Sequence, residues 1–542
     1  DGLTAEFYKN IPNNGLLYIQ NLFNKILNEE TIPAAWGKCD MFLIYKKGDP
    51  SAPDNYRGVS LINVITKLFT QILTNRLTNW IEYGNPLVES QNGFRKNRGC
   101  TDCLFILSSL MGIQISRPKR EVYATFVDLK KAFDSVNHNL LWNKLYKFGL
   151  SRKWIKTLES FYNQALFRAK LRNNYSDTFP VSRGVLQGDT ISPILFSIFI
   201  NDLENFLIEH RCESVSIDSR TGVTSLTYAD DLVMFSNGIV DAQRKLNALS
   251  LYCKENSLEV NVSKTKILVC SKSPNKKTNV NLYYNNNKVE IVSSIRYLGI
   301  IISNSGVFHL ACQDMISKSV LAINSVKKIL YSAKSSSWNL KVTLFNSLVL
   351  SVLLYASEIW ATRYLDRLEM VQTKYFKSLY FWPTQTPGYI VRAEYGLTRI
   401  KHQVVKLIIT WWIKILLMCE NRLPKICYLK LKNMDDNNSN KLSKYNWVTQ
   451  VKQILIETDF EWLWYEQDPI LIIKNKNNLL KQYKVLLIKS DTDRINNSSY
   501  NVIYKNIYII KIEYSNNNIL DSMCLPKVYV CSVKLGSLQL NK

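Results

Sequence analysis

The sequence predicts an α+β fold, and three features carry that prediction. Short β-rich runs bounded by turn residues recur up to Tyr297-Leu298-Gly299, helical periodicity takes over beyond it, and 46% of the chain is apolar against 21% charged. That balance fills buried cores and excludes a disordered chain. A length of 542 residues implies roughly three or four folding units.

In chain order, residues 1–115 mix apolar runs with turn signals such as Lys47-Gly48-Asp49-Pro50 and Gly84-Asn85-Pro86. Between them, Leu61–Trp80 has helical spacing, with Leu61, Ile65, Leu68, Ile72 and Leu73 near one face. From Val122 the pattern becomes a strand running into Asp128, and helical repeats follow through Leu141, Leu145 and Phe148. Gly184–Leu203 reads as a turn and then a buried helix broken near its start by Pro193. Val223–Tyr228 and Leu232–Ser236 are β-rich and separated only by Ala229-Asp230-Asp231, which predicts a tight hairpin. Leu344, Leu348, Val352, Tyr355 and Ile359 recur at offsets of four, four, three and four, which predicts one amphipathic helix. Past about residue 430 the chain grows rich in Asn and Lys and carries no functional signal.

Lysine plus arginine outnumber aspartate plus glutamate 69 to 44, a formal charge of +25. Such an excess favours polyanion partners, although a compositional bias toward Lys and Asn accounts for part of it equally well. Eleven cysteines without a regular framework imply reduced thiols inside the cell. Cys100 and Cys103 form a close pair, but Ser108 stands where a zinc ligand would follow, so a zinc site is rejected. The longest apolar runs, Ile191–Asn201 and Leu407–Ile413, are too short for a bilayer, so no membrane association is expected. Because the chain opens at Asp1 inside what reads as a motif, upstream sequence is expected to be missing.

Chemistry concentrates on three aspartates: Asp128 at a strand end, and Asp230 with Asp231 at a hairpin tip. Antiparallel neighbours would bring them together. Carboxylates that converge repel one another, and cations that neutralise them make such a site stable. Magnesium suits it, since it takes hard oxygen ligands and bridges one or two carboxylates to phosphates. An isolated Asp-Asp at a turn is ordinary turn chemistry; strands on both sides and an acid at an upstream strand end set this one apart.

Phe126-Val127-Asp128-Leu129-Lys130-Lys131-Ala132-Phe133-Asp134 and Tyr228-Ala229-Asp230-Asp231 resemble the two metal-binding palm motifs of reverse transcriptases. Asp1-Gly2-Leu3, Glu6-Phe7-Tyr8-Lys9, Lys46-Lys47-Gly48-Asp49, Asn55-Tyr56-Arg57 and Gln91-Asn92-Gly93-Phe94-Arg95 resemble finger motifs of the non-LTR, LINE-type retrotransposon enzymes. Gly184-Val185-Leu186-Gln187-Gly188-Asp189, Asn261-Val262-Ser263-Lys264-Thr265-Lys266 and Tyr297-Leu298-Gly299 continue the series in order over about residues 1–302. Any one of them alone would be weak; the ordered set is specific. Beyond 302 the likeness thins to Tyr355–Trp360 and Tyr389–Ile400, which resemble the thumb and adjoining region of insect-type elements.

The resemblance implies a right-hand polymerase: fingers and palm over 1–302, with an antiparallel palm sheet, a helical thumb over 303–400, and a mainly helical C-terminal region over 401–542 of unknown role. It implies an RNA-directed DNA polymerase that extends a DNA 3′-hydroxyl primer on an RNA template with deoxynucleoside triphosphates. Asp128, Asp230 and Asp231 would hold two Mg2+ ions, with Mn2+ as an alternative, and Lys264 would protonate the leaving pyrophosphate, with Lys266 as rival. Lys46, Lys47 and Arg57 would bind the incoming triphosphate, and Arg57 is favoured because its planar fork suits phosphate. Phe133 would exclude a ribose 2′-hydroxyl, or else simply pack beneath the sheet. Gln187 and Gly188 would contact nucleotide and template. Tyr228 would face nucleic acid, and Tyr297-Leu298-Gly299 would grip the primer end, though a core strand explains the latter nearly as well.

Gly58-Val59 and Asp189-Thr190 depart from the family's usual Pro-Ile and Asp-Pro, which loosens the backbone there. Target-primed copying implies a nuclear site of action after cytoplasmic ribonucleoprotein assembly. No endonuclease motif, ribonuclease H carboxylate set or zinc knuckle is legible, so target cleavage is expected from missing sequence or another protein. The rival readings are a group II intron- or telomerase-type reverse transcriptase, which the finger motifs disfavour, and a catalytically dead nucleic-acid-binding remnant, which the intact aspartates disfavour.

Overall fold

The computed structural model describes residues 3–84, 87–117, 120–171, 174–272, 280–437 and 446–499. Asp1, Gly2, Asn85, Pro86 and residues 500–542 lie outside the described residues. The chain divides into two compact units: Asp1–Val307 with Glu420–Asn438, and Phe308–Cys419 with Ser439–Lys542. Together they give the expected α+β composition.

The first unit is built on two sheets. In the smaller, β1 (Lys38–Tyr45) pairs antiparallel with β2 (Tyr56–Leu61). Helix α1 (Val64–Gly84) and helix α2 (Cys100–Ser116) come next, followed by β3 (Glu121–Val127). Strand β4 (Leu166–Leu171) returns to lie parallel to β1, and α3 (Ser192–Phe199) precedes β5 (Ser225–Tyr228) and β6 (Asp231–Ser236). Strands β7 (Lys266–Ser271), β8 (Leu282–Tyr284) and β9 (Asn287–Val292) complete a six-stranded sheet in the order β8-β9-β7-β3-β6-β5. A separate hairpin follows, β10 (Ser294–Tyr297) with β11 (Ile300–Ser303).

Six of the seven residues of β3 are buried, so its sequence reads as a nearly unbroken β-branched and aromatic run rather than an alternation. One face of its sheet is covered by α2, which is apolar around most of its circumference. A helix of that kind needs cover on its outer side as well. The cover comes from far downstream, where the helix Leu423–Asn437 packs against α2. Arg422 anchors it, with Nε donating to Glu89 at 2.8 Å and Nη2 to the fully buried Asp102 at 2.8 Å.

Helix α1 begins at Val64 rather than at Leu61, which closes β2 and is exposed, and its buried stripe is Phe69, Leu73, Leu77 and Ile81, while Leu68 and Ile72 are exposed. Phe69 joins Phe23 and Trp36 in an edge-to-face cluster, and this aromatic anchor sets the helix rotation. Pro193 opens α3 at its second residue rather than breaking it, since a missing N–H costs nothing in the first turn.

The second unit is helical, with long helices His309–Ser332, Ile400–Leu416 and Pro469–Asn496. The single helix expected through Leu344–Ile359 is interrupted. Trp338–Leu344 passes into a π-helical turn over Phe345–Leu350, and Ala356 at φ 51° separates Ser351–Leu353 from Ser357–Trp360. The buried apolar side chains include Phe345, Val349, Leu353, Trp360 and, of the expected stripe, Ile359, whereas Leu348 and Tyr355 are exposed. A π-turn adds a residue per turn and rotates the apolar stripe off the expected positions. Among the described residues no single helix is long and apolar enough to cross a membrane, while the bent pair Trp338–Leu353 and Ser357–Arg363 meets that test by length and composition.

Candidate active site

Strand register brings the aspartates together. In the antiparallel pairing of β3 with β6, Leu232 faces Val127, so one step further Asp231 faces Asp128. Strand β6 also pairs with β5, Asp231 opposite Tyr228, which leaves Ala229-Asp230 as a two-residue turn. Ala229 sits at φ 58°, in the left-handed region that costs a residue with a Cβ atom.

Residues 90–93 hold that turn. Asn92 donates its backbone N–H to Thr227 O at 2.9 Å, and Thr227 returns one to Ser90 O at 3.0 Å, so the segment extends β5. Gly93 then lies flat against the hairpin, where a Cβ would stand 2.3 Å from Ala229 N. A glycine is required by that approach.

The three carboxylates repel one another. Packing around Asp231, followed by the charges of Asp230 and Asp128, pushes its pKa up to about 6, although the side chain keeps access to solvent. Asp128 is held by its backbone, donating to Thr265 Oγ1 at 3.2 Å and accepting from Asn261 N at 2.7 Å. The same loop carries Lys264, whose Nζ is 3.5 Å from Asp128 Oδ2. Its rival Lys266 is engaged with Glu290 instead. Among the described residues, no group of three or more His, Cys, Asp or Glu side chains is arranged to hold a metal ion. The trio nevertheless fits a hard cation that takes part of its shell from phosphate oxygens, because its mutual repulsion is what such a charge relieves.

Asp128 and Asp230 open into a cavity of about 890 Å³, which Lys264 also lines. Lys46 and Arg57 line the same cavity, brought there by the β1–β2 turn, in which Lys46 N donates to Asn55 O at 2.8 Å. Lys47 is exposed and is not among the lining residues. Phe133 lines the cavity while stacking on Phe196 at 4.6 Å and 22°, so it serves the core and faces the void at once. Gln187 and Gly188 are lining residues too. Gln187 donates its amide to Asp134 at 2.7 Å. Gly188 stands at φ 125°, where a Cβ would fall 2.4 Å from Ser60 O, so its glycine is demanded by β2.

Asp189 is buried, and burial pushes its carboxyl up against the pull of hydrogen bonds from Thr70 Oγ1 at 2.6 Å and Thr190 N at 2.7 Å. A proline at 190 has no N–H to give, so Asp189-Thr190 tightens this loop rather than loosening it.

Tyr228, Tyr297, Leu298 and Gly299 are not among the cavity's lining residues. Tyr228 is half-buried and hydrogen-bonds Cys100, which, ahead of burial, raises its phenol to about 12. Tyr297 is 4% exposed and packs edge-to-face on Phe126 at 5.3 Å, so its ring is a core group. A contact from this motif to nucleic acid would run through the turn, where Leu298 and Gly299 adopt φ 44° and 85°. Thr70 lay in no motif, and the motifs that contain Thr265 and residues 91–93 gave no sign of these roles, because each acts on a residue distant in the chain.

Residues 44–302 match the family model described as Reverse transcriptase (RNA-dependent DNA polymerase). The chain is 25% identical over 421 residues to the probable RNA-directed DNA polymerase from transposon BS of Drosophila melanogaster, covering 74% of this chain and 45% of that protein. It is 22% identical to the RNA-directed DNA polymerase from mobile element jockey of the same fly, covering 67% of this chain and 40% of that one. It thus spans less than half the length of these curated relatives. A structure of telomerase from Candida tropicalis with a TWJ fragment of telomeric RNA overlays 80% of this chain and 67% of that one, at 12% identity and a TM-score of 0.39.

Proposed function

We propose, from the premise that this chain belongs to the LINE-type reverse transcriptases, that it extends a DNA 3′-hydroxyl on an RNA template by adding deoxynucleoside triphosphates. The observation that carries the reading is the register that sets Asp128 against Asp231, with Asp230 at the adjoining turn, at the mouth of a cavity lined by Lys46 and Arg57. Asp128, Asp230 and Asp231 would hold Mg2+, or Mn2+, and two such ions supply activation of the attacking hydroxyl and charge stabilisation at the transferred phosphate.

The chain's own groups supply the rest. Arg57 and Lys46 close on the triphosphate and stabilise charge as it develops. Lys264 is positioned by Asp128 and protonates the departing pyrophosphate oxygen. Phe133 presents an apolar wall to the sugar, which cannot hydrogen-bond a 2′-hydroxyl. The net charge of +25 suits the backbones of a template–primer duplex. By likeness to its family, the primer is nicked chromosomal DNA, so the site of action is the nucleus.

Primer extension on poly(rA)/oligo(dT) with magnesium, beside an Asp230→Ala control, tests this reading. Template-dependent incorporation that the substitution abolishes is the expected result. Retained binding of the primed template without incorporation above the control would make the chain a nucleic-acid-binding remnant.

A further inference from the structure

The thiols rejected as zinc ligands occupy a telling position. Cys100 is the first residue of α2, with Gly99 as N-cap, and Cys103 lies three residues on. Helical geometry puts their Cα atoms about 5 Å apart, within the span a disulfide bridges. Both thiols are free; Cys100 is partly accessible, while Cys103 is wholly buried. Cys-X-X-Cys on one helical turn is the spacing at which two thiols can cycle between the dithiol and the disulfide.

What these thiols touch matters more. α2 packs against β5, and the Cys100 thiol neighbours the phenol of Tyr228, the residue paired with Asp231. Cys103 lies against the buried phenol of Tyr297 and the side chain of Asn92, from the strap that holds the Ala229 turn. Both sulfurs therefore bear on the supports of the aspartate hairpin.

We propose that Cys100 and Cys103 form a reversibly oxidisable dithiol, whose disulfide state withdraws Cys100 from Tyr228 and slows copying by unseating the hairpin. The oxidant is a low-molecular-weight disulfide. The Cys100 thiolate attacks one of its sulfurs, the sulfur–sulfur bond breaks, and one thiol leaves after taking up a proton. Cys103 gives up its proton and attacks the Cys100 sulfur, expelling the second thiol. Two cysteines are oxidised by two electrons and one small disulfide is reduced to two thiols. Burial pushes the Cys103 thiol up, so the second step depends on the short reach within one helical turn.

The effect on copying rests on the polymerase reading, whereas the dithiol chemistry does not. The test equilibrates the full chain in reduced and oxidised glutathione mixtures, maps thiols by differential alkylation and peptide mass, and follows primer extension. Expected is a Cys100–Cys103 disulfide accompanied by a several-fold fall in rate, both reversed by dithiothreitol. Cys100→Ser keeps a hydroxyl for Tyr228 and should copy at the reduced rate in every mixture. Failure to link the two cysteines in the oxidised mixture overturns the proposal, as does a linked protein that copies undiminished or a Cys100→Ser chain that loses rate equally. A reduced chain that copies nothing overturns the polymerase reading instead, and the thiol map still decides whether the dithiol forms.

Discussion

Each unit sets acidic charge where it must be neutralised, three carboxylates in the first and the buried Asp491 in the second, and the two are neutralised differently. In the first, Asp128, Asp230 and Asp231 face one another, with Lys264 at 3.5 Å from Asp128, and the outcome is an Asp231 carboxyl pushed up to about 6. In the second, Asp491 accepts two bonds of 2.8 Å from Arg392 and further bonds from Arg399. Burial alone would push Asp491 up, but the two guanidinium groups outweigh it and hold its carboxyl below the ordinary range. A buried acid that has collected its own cations serves the fold. An acid cluster left short of positive charge costs stability, and it persists where it has work to do.

Substitution should separate the two. Asp230→Ala is expected to lower primer extension by about a thousandfold or more with no loss of melting temperature, because a repelling charge is removed. Asp491→Ala removes the hydrogen-bonded partner of two buried arginines, leaving Glu369 at 3.9 Å from Arg392, and should cost about 3–5 kcal/mol, read as a depressed urea midpoint.

The pH response should differ in sign. Asp231 holds its proton to a higher pH in the folded chain than in the unfolded one, so its penalty is absent below the ordinary carboxylate range and complete above about 6. Asp231→Asn should therefore raise the melting temperature at pH 7.5 and lose that gain at acid pH. Asp491 stabilises above the ordinary range, and its contribution fades as the pH falls through its lowered value. Equal pH profiles for Asp231→Asn and Asp491→Asn would erase the distinction.

Backbone supports come next in size. Gly93→Ala forces a methyl to within 2.3 Å of Ala229 N, so the strap or the hairpin must move. Displacements near 1 Å at a reacting site cost on the order of a hundredfold in rate, and single-turnover extension should show it. Thr190→Pro removes the N–H that Asp189 accepts at 2.7 Å and should lower stability by about 1–3 kcal/mol. A proline variant that melts higher would show that backbone restraint outweighs that bond.

The sequence revealed the parts of this site that local pattern encodes and concealed those fixed from a distance. Val122–Val127 running into Asp128 and the tight turn before Asp231 are properties of short stretches, and both stand where the spacing put them. The rotation of α1 was not legible, since Leu68 and Ile72 are as apolar as the buried Leu73, and Phe23 and Trp36 decide which face turns inward. Ala356 gave no sign that it would take φ 51° and end a helix. The recruitment of Leu423–Asn437 to cover α2 rests on Arg422 meeting Glu89 and Asp102, more than three hundred residues upstream. Motif likeness named Gly93 and Gly188 but not their reasons: each glycine accommodates a piece of backbone, Ala229 in one case and Ser60 in the other.

Phe133 offers the finest test, because one ring belongs to both kinds of environment. Its stack on Phe196 ties it to the core, and it also lines the cavity, where the proposed function would set it before the sugar of an incoming nucleotide. Phe133→Val gives up the stack, worth about 0.5–1.5 kcal/mol beyond buried area, and opens space on the cavity side. If the wall discriminates, single-nucleotide extension will show ribonucleotide use rising relative to deoxyribonucleotide use, alongside a modest fall in melting temperature. If the ring only packs, the melting temperature will fall and the ratio will not change. The outcome assigns Phe133 to the chemistry or to the fold.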